Sequence, residues 1–142
     1  MIYADASFVV AVLAQETYSA LARAFLADHG PTELVVSAWA ITEVASALAM
    51  KERRRDIDRR ERERLAAEWD RLRSMMTPAS IGEEDFVSAA SLVDADPRGL
   101  RAGDALHLAI VRRAGHALAT LDRDLADAAE AIGVEVMLRP PA

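Results

Sequence analysis

Residues 101–138 read RAGDALHLAIVRRAGHALATLDRDLADAAEAIGVEVML, and two periodicities alternate within them. DALHLAIVRR (104–113) has helical spacing and stops at Gly115, a residue suited to the left-handed turn that closes a helix. ALATL (117–121) is a short apolar run that reads as a buried strand. Asp124 to Ile132 is helical again and is closed by Gly133; VEVML (134–138) is a last short strand, and Arg139-Pro140-Pro141 a frayed tail. Strands separated by helix-length segments predict an α/β fold with a central parallel sheet flanked by helices on both faces, because parallel neighbours need a crossover of that length.

The pattern extends towards the N-terminus. IYA (2–4) is a short strand, followed by Asp5-Ala6-Ser7, with Ser7 reading as the N-cap of a helix from Phe8 to Ala14. Thr17 reads as the cap of a second helix carrying Leu21, Ala22, Phe25 and Leu26, ended by His29-Gly30-Pro31. LVVS (34–37) is a buried strand. From Trp39 onward, Ile41, Val44, Ala45 and Leu48 form one helical stripe; after a break near Asp56 to Asp58, Leu65, Trp69, Leu72 and Met76 form another. Met76 to Ile81, with Pro78, holds a short strand. Glu83-Glu84-Asp85 opens a helix marked by Phe86, Ala90 and Val93, and Pro97 and Gly99 end it. No repeat, low-complexity tract or linker divides the chain, so residues 1–142 are expected to form a single domain.

The 142 residues contain 17 Lys and Arg against 23 Asp and Glu, a formal charge of −6, and no cysteine. A disulfide framework, a thiolate metal site and a thiol nucleophile are thereby excluded. An apolar fraction of 52% is too high for a disordered chain. The early apolar run, Phe8 to Ala14, is far short of the roughly 20 residues a spanning helix needs. Asp5 precedes that run and no Lys or Arg lies there, unlike a secretory leader, so a soluble cytoplasmic protein is expected. The charge is uneven. Residues 51–73 hold ten basic and seven acidic side chains, a local +3 that leaves −9 on the rest.

The acids fall in a suggestive pattern. In a parallel α/β sheet ligands collect at the carboxyl ends of the strands. Asp5 follows the first strand and Asp122 the ALATL strand, so both point to the same sheet edge; either alone also reads as an ordinary helix cap. Glu43 lies near the start of the helix after LVVS, and Asp104 opens the helix after the loop 98–103. Four carboxylates on one rim repel each other unless a cation is present. Oxygen-only donors suit Mg²⁺ or Mn²⁺.

YADASFVVAVL, ITEVASAL, LRAGDALHLAIVRRAG and TLDRDLADAAEAIGV together resemble the PIN-domain nucleases, and in particular the VapC toxins of toxin–antitoxin pairs. The resemblance runs over residues 2–138, and its most specific piece is GDALHLA followed by Thr120-Leu121-Asp122. It implies a PIN-like three-layer sandwich and a Mg²⁺-dependent endoribonuclease, with Mn²⁺ as substitute metal. It also implies that Asp5, Glu43, Asp104 and Asp122 are the catalytic metal-holding acids, supported through hydrogen bonds by Ser7 and Thr120. The partners implied are an RNA substrate, a small VapB-like antitoxin whose Arg or Lys enters the acidic pocket, and a second copy in a homodimer. Paired divalent ions roughly 3.5–4 Å apart activate water and stabilise a leaving oxygen in such sites. Asp5, at a rigid strand end, is the natural central ligand; Asp104 and Asp122 complete the set; Glu43 is a ligand or orients a bound water. Asp124 is an outer candidate, and Ser7 serves either the acids or only its helix.

The middle of the chain departs from this pattern with an Arg-rich helical segment (51–75). It reads either as a solvated face with Glu–Arg pairing, such as Glu61 with Arg64, or as a track for an RNA backbone through Arg53, Arg54, Arg55 and Arg59. Aromatics are 5% of the chain and none interleave the basic stretch, so base stacking is not expected. His107, three residues after Asp104, could face the same pocket but reads as an exposed or core-edge histidine outside the site, and His29 and His116 carry no partner pattern. Three other readings compete. A dehalogenase-type phosphatase needs an acid where Ser7 stands, and a receiver domain needs adjacent acids and a lysine near the last strands, whereas Lys51 is the chain's one lysine. A catalytically silent PIN-fold binding module is the third.

Overall fold

A computed structural model describes all residues 1–142. Five short strands, β1 (Ile2–Ala4), β2 (Leu34–Ser37), β3 (Thr77–Ala79), β4 (Ala117–Ala119) and β5 (Val136–Leu138), form one sheet in the order β3-β2-β1-β4-β5. Every neighbouring pair is parallel. Between the strands run α1 (Ala6–Leu13), α2 (Ser19–His29), α3 (Ala38–Arg53), α4 (Arg59–Met75), α5 (Glu83–Ala95), α6 (Ala102–Ala114) and α7 (Arg123–Ala131). This is the predicted PIN-like sandwich. The order is not the 2-1-3-4-5 of receiver-like sheets, which removes that competing reading. No helix is long and apolar enough to cross a membrane.

Alternation along the strands builds two cores. Ile2, Ala4, Leu34 and Val36 face α1, α3 and α4, where they meet Phe8, Val44, Leu48, Leu65 and Trp69. Tyr3, Val35 and Leu118 face the other way, against Leu108, Ile110 and Leu125. The chain leaves the central β1 towards β2 and β3, then returns to the opposite side for β4 and β5. The β1–β4 boundary is therefore the topological switch point, and its carboxyl end is where such a sheet offers a crevice.

Several local expectations shift. The N-cap of α1 is Asp5, whose side chain accepts from Phe8 N, and Ser7 sits inside the helix. Thr17 caps nothing: α2 starts at Ser19 with no side-chain cap. The strand predicted at 117–121 stops at Ala119, because Thr120 and Leu121 turn into the crevice rim. On α3 the buried stripe is Ala40, Val44 and Leu48, leaving Ile41 and Ala45 exposed. On α5 the buried face is Asp85, Ala89 and Leu92, while Phe86, Ala90 and Val93 face outward. In both helices, two apolar stripes lie side by side and periodicity alone does not choose between them.

On α5 an ion pair makes the choice. Buried Asp85 accepts from Arg113 Nε at 2.6 Å and Nη2 at 3.0 Å, and from Gly82 N at 2.9 Å. These bonds tie the start of α5 to the end of α6 and hold the Asp85 carboxyl below its usual range, the Arg113 hydrogen bond being the main cause. A depressed folded-state pKa contributes stability above the unfolded value of about 3.9, lost as pH falls through the folded value. Arg113 is 39% exposed, so Asp85→Asn should cost about 1–3 kcal/mol at pH 7. The thermal midpoint should fall accordingly at pH 7, with the difference from wild type shrinking below pH 4; an equal midpoint at pH 7 would refute the assignment.

Candidate metal centre and groove

Each sequence-predicted acid lies at or near the carboxyl edge of the sheet. Asp5 is the most buried, 4% exposed, directly after β1. Its carboxylate accepts from Phe8 N (3.0 Å), from the Ser7 hydroxyl (2.8 and 2.9 Å to its two oxygens) and from the Thr120 hydroxyl (2.8 Å). Ser7 Oγ in turn accepts from Leu121 N, and Thr120 Oγ1 from Asp122 N. A small polar web thus joins the ends of β1 and β4. Burial pushes the Asp5 carboxyl above its ordinary range, opposed by the charge of His107 and by these hydrogen bonds. Ser7 therefore hydrogen-bonds Asp5 and is not the cap of its helix.

Asp122 caps α7 through Oδ1, accepting from Leu125 N at 3.1 Å, and turns Oδ2 outward. Capping with one oxygen and presenting the other to a cation are compatible for a carboxylate, which has two oxygens. Asp104 lies in the first turn of α6; burial and the neighbouring Asp122 charge raise its carboxyl pKa, while Arg101 and His107 oppose the rise. Glu43, 28% exposed on α3, reaches across to His107. Asp124 makes no hydrogen bond to the other four acids; it is exposed and lines a recess with Asp104 and Arg101.

Two residues outside the sequence-derived site take part. Arg101 spans Asp104 Oδ2 (3.3 Å) and Asp122 Oδ2 (3.1 Å). His107, expected to be exposed or at the core edge and outside the site, is instead 1% exposed and contacts Glu43 through Nε2, because α6 carries it down onto the sheet. Burial lowers the imidazole pKa, but the hydrogen bond and charge of Glu43, with the fields of Asp5 and Asp104, outweigh it and leave the group raised. The three-residue steps from Arg101 to Asp104 and from Asp104 to His107 were the available signal, since residues three apart share a helix face. Gly103 completes the contact: a Cβ there would stand 3.3 Å from Trp39 Nε1 and 3.6 Å from Glu43 Oε2, so its absence lets α6 approach α3.

An open groove of about 640 Å³ leads away from the acids. Ser7, Glu43, Arg101 and Leu121 line it near the acids, and it also touches Val10, Ala47, Met50 and Glu16. Glu16 pairs with Lys51 at 2.7 Å, so the groove reaches the start of the Arg-rich segment. There Arg59 pairs with Glu63, and Arg64 with Glu61 and Glu68, as a solvated face would. Arg53, Arg54 and Arg55 are exposed and make no ion pair.

The donor chemistry fits a hard divalent cation: carboxylate oxygens gathered on one rim, with a guanidinium already standing between two of them. No three acidic or histidine side chains close around a single point, so water would complete the coordination, as Mg²⁺ commonly retains it. Arg101 then competes for the same oxygens. Arg101→Ala should tighten Mn²⁺ binding by about three- to tenfold, the scale of one partly exposed charge. Calorimetry on the free protein measures this, and an unchanged or weaker affinity would show that the guanidinium is not a competitor.

A family profile described as "PIN domain" matches residues 2–131. The chain is similar in structure to the Mycobacterium tuberculosis toxin VapC20, described as cleaving the sarcin-ricin loop: TM-score 0.74, 24% identity, covering 99% of this chain and 100% of that one. FitAcB from Neisseria gonorrhoeae gives a TM-score of 0.69 at 19% identity, covering 96% of each chain. FitAB bound to an IR36 DNA fragment gives 0.71 at 17% identity, covering 99% of this chain and 95% of that one. No curated protein sequence matches the chain significantly.

Proposed function

This chain belongs to the PIN-domain family, and we propose that it is a Mg²⁺-dependent endoribonuclease, a hydrolase of RNA phosphodiester bonds acting as the toxin of a VapBC-type pair. The observation that supports the reading is the Arg101 guanidinium drawn between Asp104 and Asp122 near the carboxyl edge of the sheet, where Asp5 follows β1 and Glu43 reaches α6 through His107. In this reading Asp5, Asp104 and Asp122 hold the metal. A divalent cation there supplies Lewis-acid polarisation of the phosphate and a water acidic enough to attack at neutral pH.

The chain's own residues have distinct parts. Asp5 is immobilised by three hydrogen-bond donors and cannot turn away from the crevice, which suits a central ligand. Ser7 and Thr120 hold that carboxylate in place. Glu43 orients the attacking water or contributes an oxygen. Asp124, further out, adds negative field beside Arg101. The substrate backbone approaches along the groove towards Arg53, Arg54 and Arg55, with Arg59 beyond them; these contact phosphate and carry no base information.

An antitoxin partner suits the same surface. The groove offers apolar area from Val10, Ala47 and Met50 beside an acidic end that attracts an inserted Arg or Lys. FitAB, whose name and DNA-bound structure describe that protein, motivates this part of the reading. A homodimer would find apolar surface on α5, where Phe86 and Val87 are 57% and 63% exposed. A cytoplasmic location belongs to the same proposal, as does the treatment of residues 1–142 as a single PIN domain.

The test is cleavage of structured RNA, a tRNA pool among the substrates, by the purified chain in Mg²⁺, Mn²⁺ or EDTA, with DNA in parallel. Cutting should require metal, and Asp5→Asn should reduce it by at least about a hundredfold in a protein that still unfolds cooperatively. RNA cleavage that persists in EDTA, or unaltered in Asp5→Asn, would sink the metal assignment. Silence on a broad RNA panel together with no Mn²⁺ binding favours the binding-module reading.

A further inference from the structure

One buried polar chain is left over once the acids have been assigned their parts. The alternation of β1 and β2 sends Tyr3 and Ser37 to the sheet face that α6 covers, and His107 comes down from α6 onto the same spot. The Tyr3 hydroxyl donates to Ser37 Oγ at 2.8 Å and lies 2.7 Å from His107 Nδ1. His107 Nε2 then meets Glu43 Oε1. Both ring nitrogens are engaged, and the ring packs edge-on against Tyr3 with centroids 5.6 Å apart. An imidazole held in this way has no freedom to turn, and the oxygen it grips is tied to the sheet.

Glu43 needs such a tie. It is a long side chain, partly exposed, on a helix whose own backbone gives its carboxylate no anchor. With Oε1 bound to His107, Oε2 faces the start of α6, 3.6 Å from the space a Cβ on Gly103 would fill. That is the helix turn that carries Asp104.

We propose that His107, braced by Tyr3, is a positioning residue for Glu43: it holds one carboxylate oxygen so that the other is presented beside Asp104. The proposal deepens the metal-nuclease reading and rests on it for its functional consequence. It differs from a merely structural role, in which the chain only pins α6 to the sheet and Glu43 would orient equally well without it.

The experiment uses the full chain with His107→Leu, His107→Gln and Tyr3→Phe. Leucine is apolar, suits a position that is 1% exposed on a helix, and removes the grip on Glu43; glutamine keeps an N–H near the Nε2 position; phenylalanine removes only the brace. Three readouts are compared: Mn²⁺ affinity by calorimetry, kcat and KM for RNA, and side-chain scalar couplings that report whether Glu43 occupies one rotamer. His107→Leu should weaken Mn²⁺ binding or lower kcat by about ten- to hundredfold with KM little changed, the usual scale for residues that orient metal ligands. His107→Gln should recover part of that loss, and Tyr3→Phe should show a smaller loss of the same kind. The Glu43 couplings should indicate one rotamer in the wild type and averaging in His107→Leu. A folded His107→Leu protein with wild-type Mn²⁺ affinity, kcat and couplings overturns the proposal, whatever its melting temperature. If the wild type neither binds Mn²⁺ nor cuts RNA, the nuclease reading fails by itself, and the couplings alone decide whether His107 positions Glu43.

Discussion

A carboxylate that is 4% exposed must have its charge answered inside the protein, and Asp5 stands under that constraint at the end of the central strand. Its answers come from a backbone N–H of α1, a hydroxyl on α1 and a hydroxyl just past β4. Those three bonds require α1 to begin immediately after β1 and β4 to pair beside it in register, with Tyr3 opposite Leu118 and Ala4 opposite Ala119. Shifting β4 by one residue would turn Thr120 to the other face and leave a buried anion short of a partner. The sheet's switch point and the site's central acid are in this sense one structural fact.

From that anchor the negative charge spreads outward with increasing exposure: Asp104, then Asp122 and Glu43. Two basic side chains of opposite exposure stand among these acids. His107 lies beneath the acids, buried and drawn to three of them. Arg101 lies above, 74% exposed, bridging two. The groove beside it adds apolar lining near the acids, and the exposed Arg53, Arg54 and Arg55 follow Lys51 at its far end.

The Arg-rich segment shows how packing divides a charge run. Leu65, Trp69 and Leu72 bury one face of α4, and its glutamates neutralise Arg59, Arg62 and Arg64 through pairs along α4 or back to Glu52. The turn around Arg53 to Arg55, where Arg55 takes a positive φ of 62°, presents three exposed guanidinium groups without an ion pair, and Arg60 and Arg71 on α4 are likewise exposed and unpaired. The solvated-face reading with Glu–Arg pairing thus describes Arg59, Arg62 and Arg64, while Arg53, Arg54 and Arg55 stand outside that pairing.

Much of this was written in residue order. Glycine stops, apolar runs and the acids after strands specify element types and the edge where Asp5 and Asp122 stand, because turn chemistry and side-chain period act locally. Three things needed the third dimension. The inward face of α3 and of α5 depended on which neighbour each stripe met, and on α5 a buried ion pair to Arg113 outweighed exposed Phe86. Ser7's service to Asp5 depended on Thr120 and Leu121, more than a hundred residues away in the chain. His107 and Arg101 acquired their parts only when α6 crossed α3 at Gly103, since a histidine or arginine has no partner until folding supplies one. Local order chose the acids; long-range packing chose the cations that hold them.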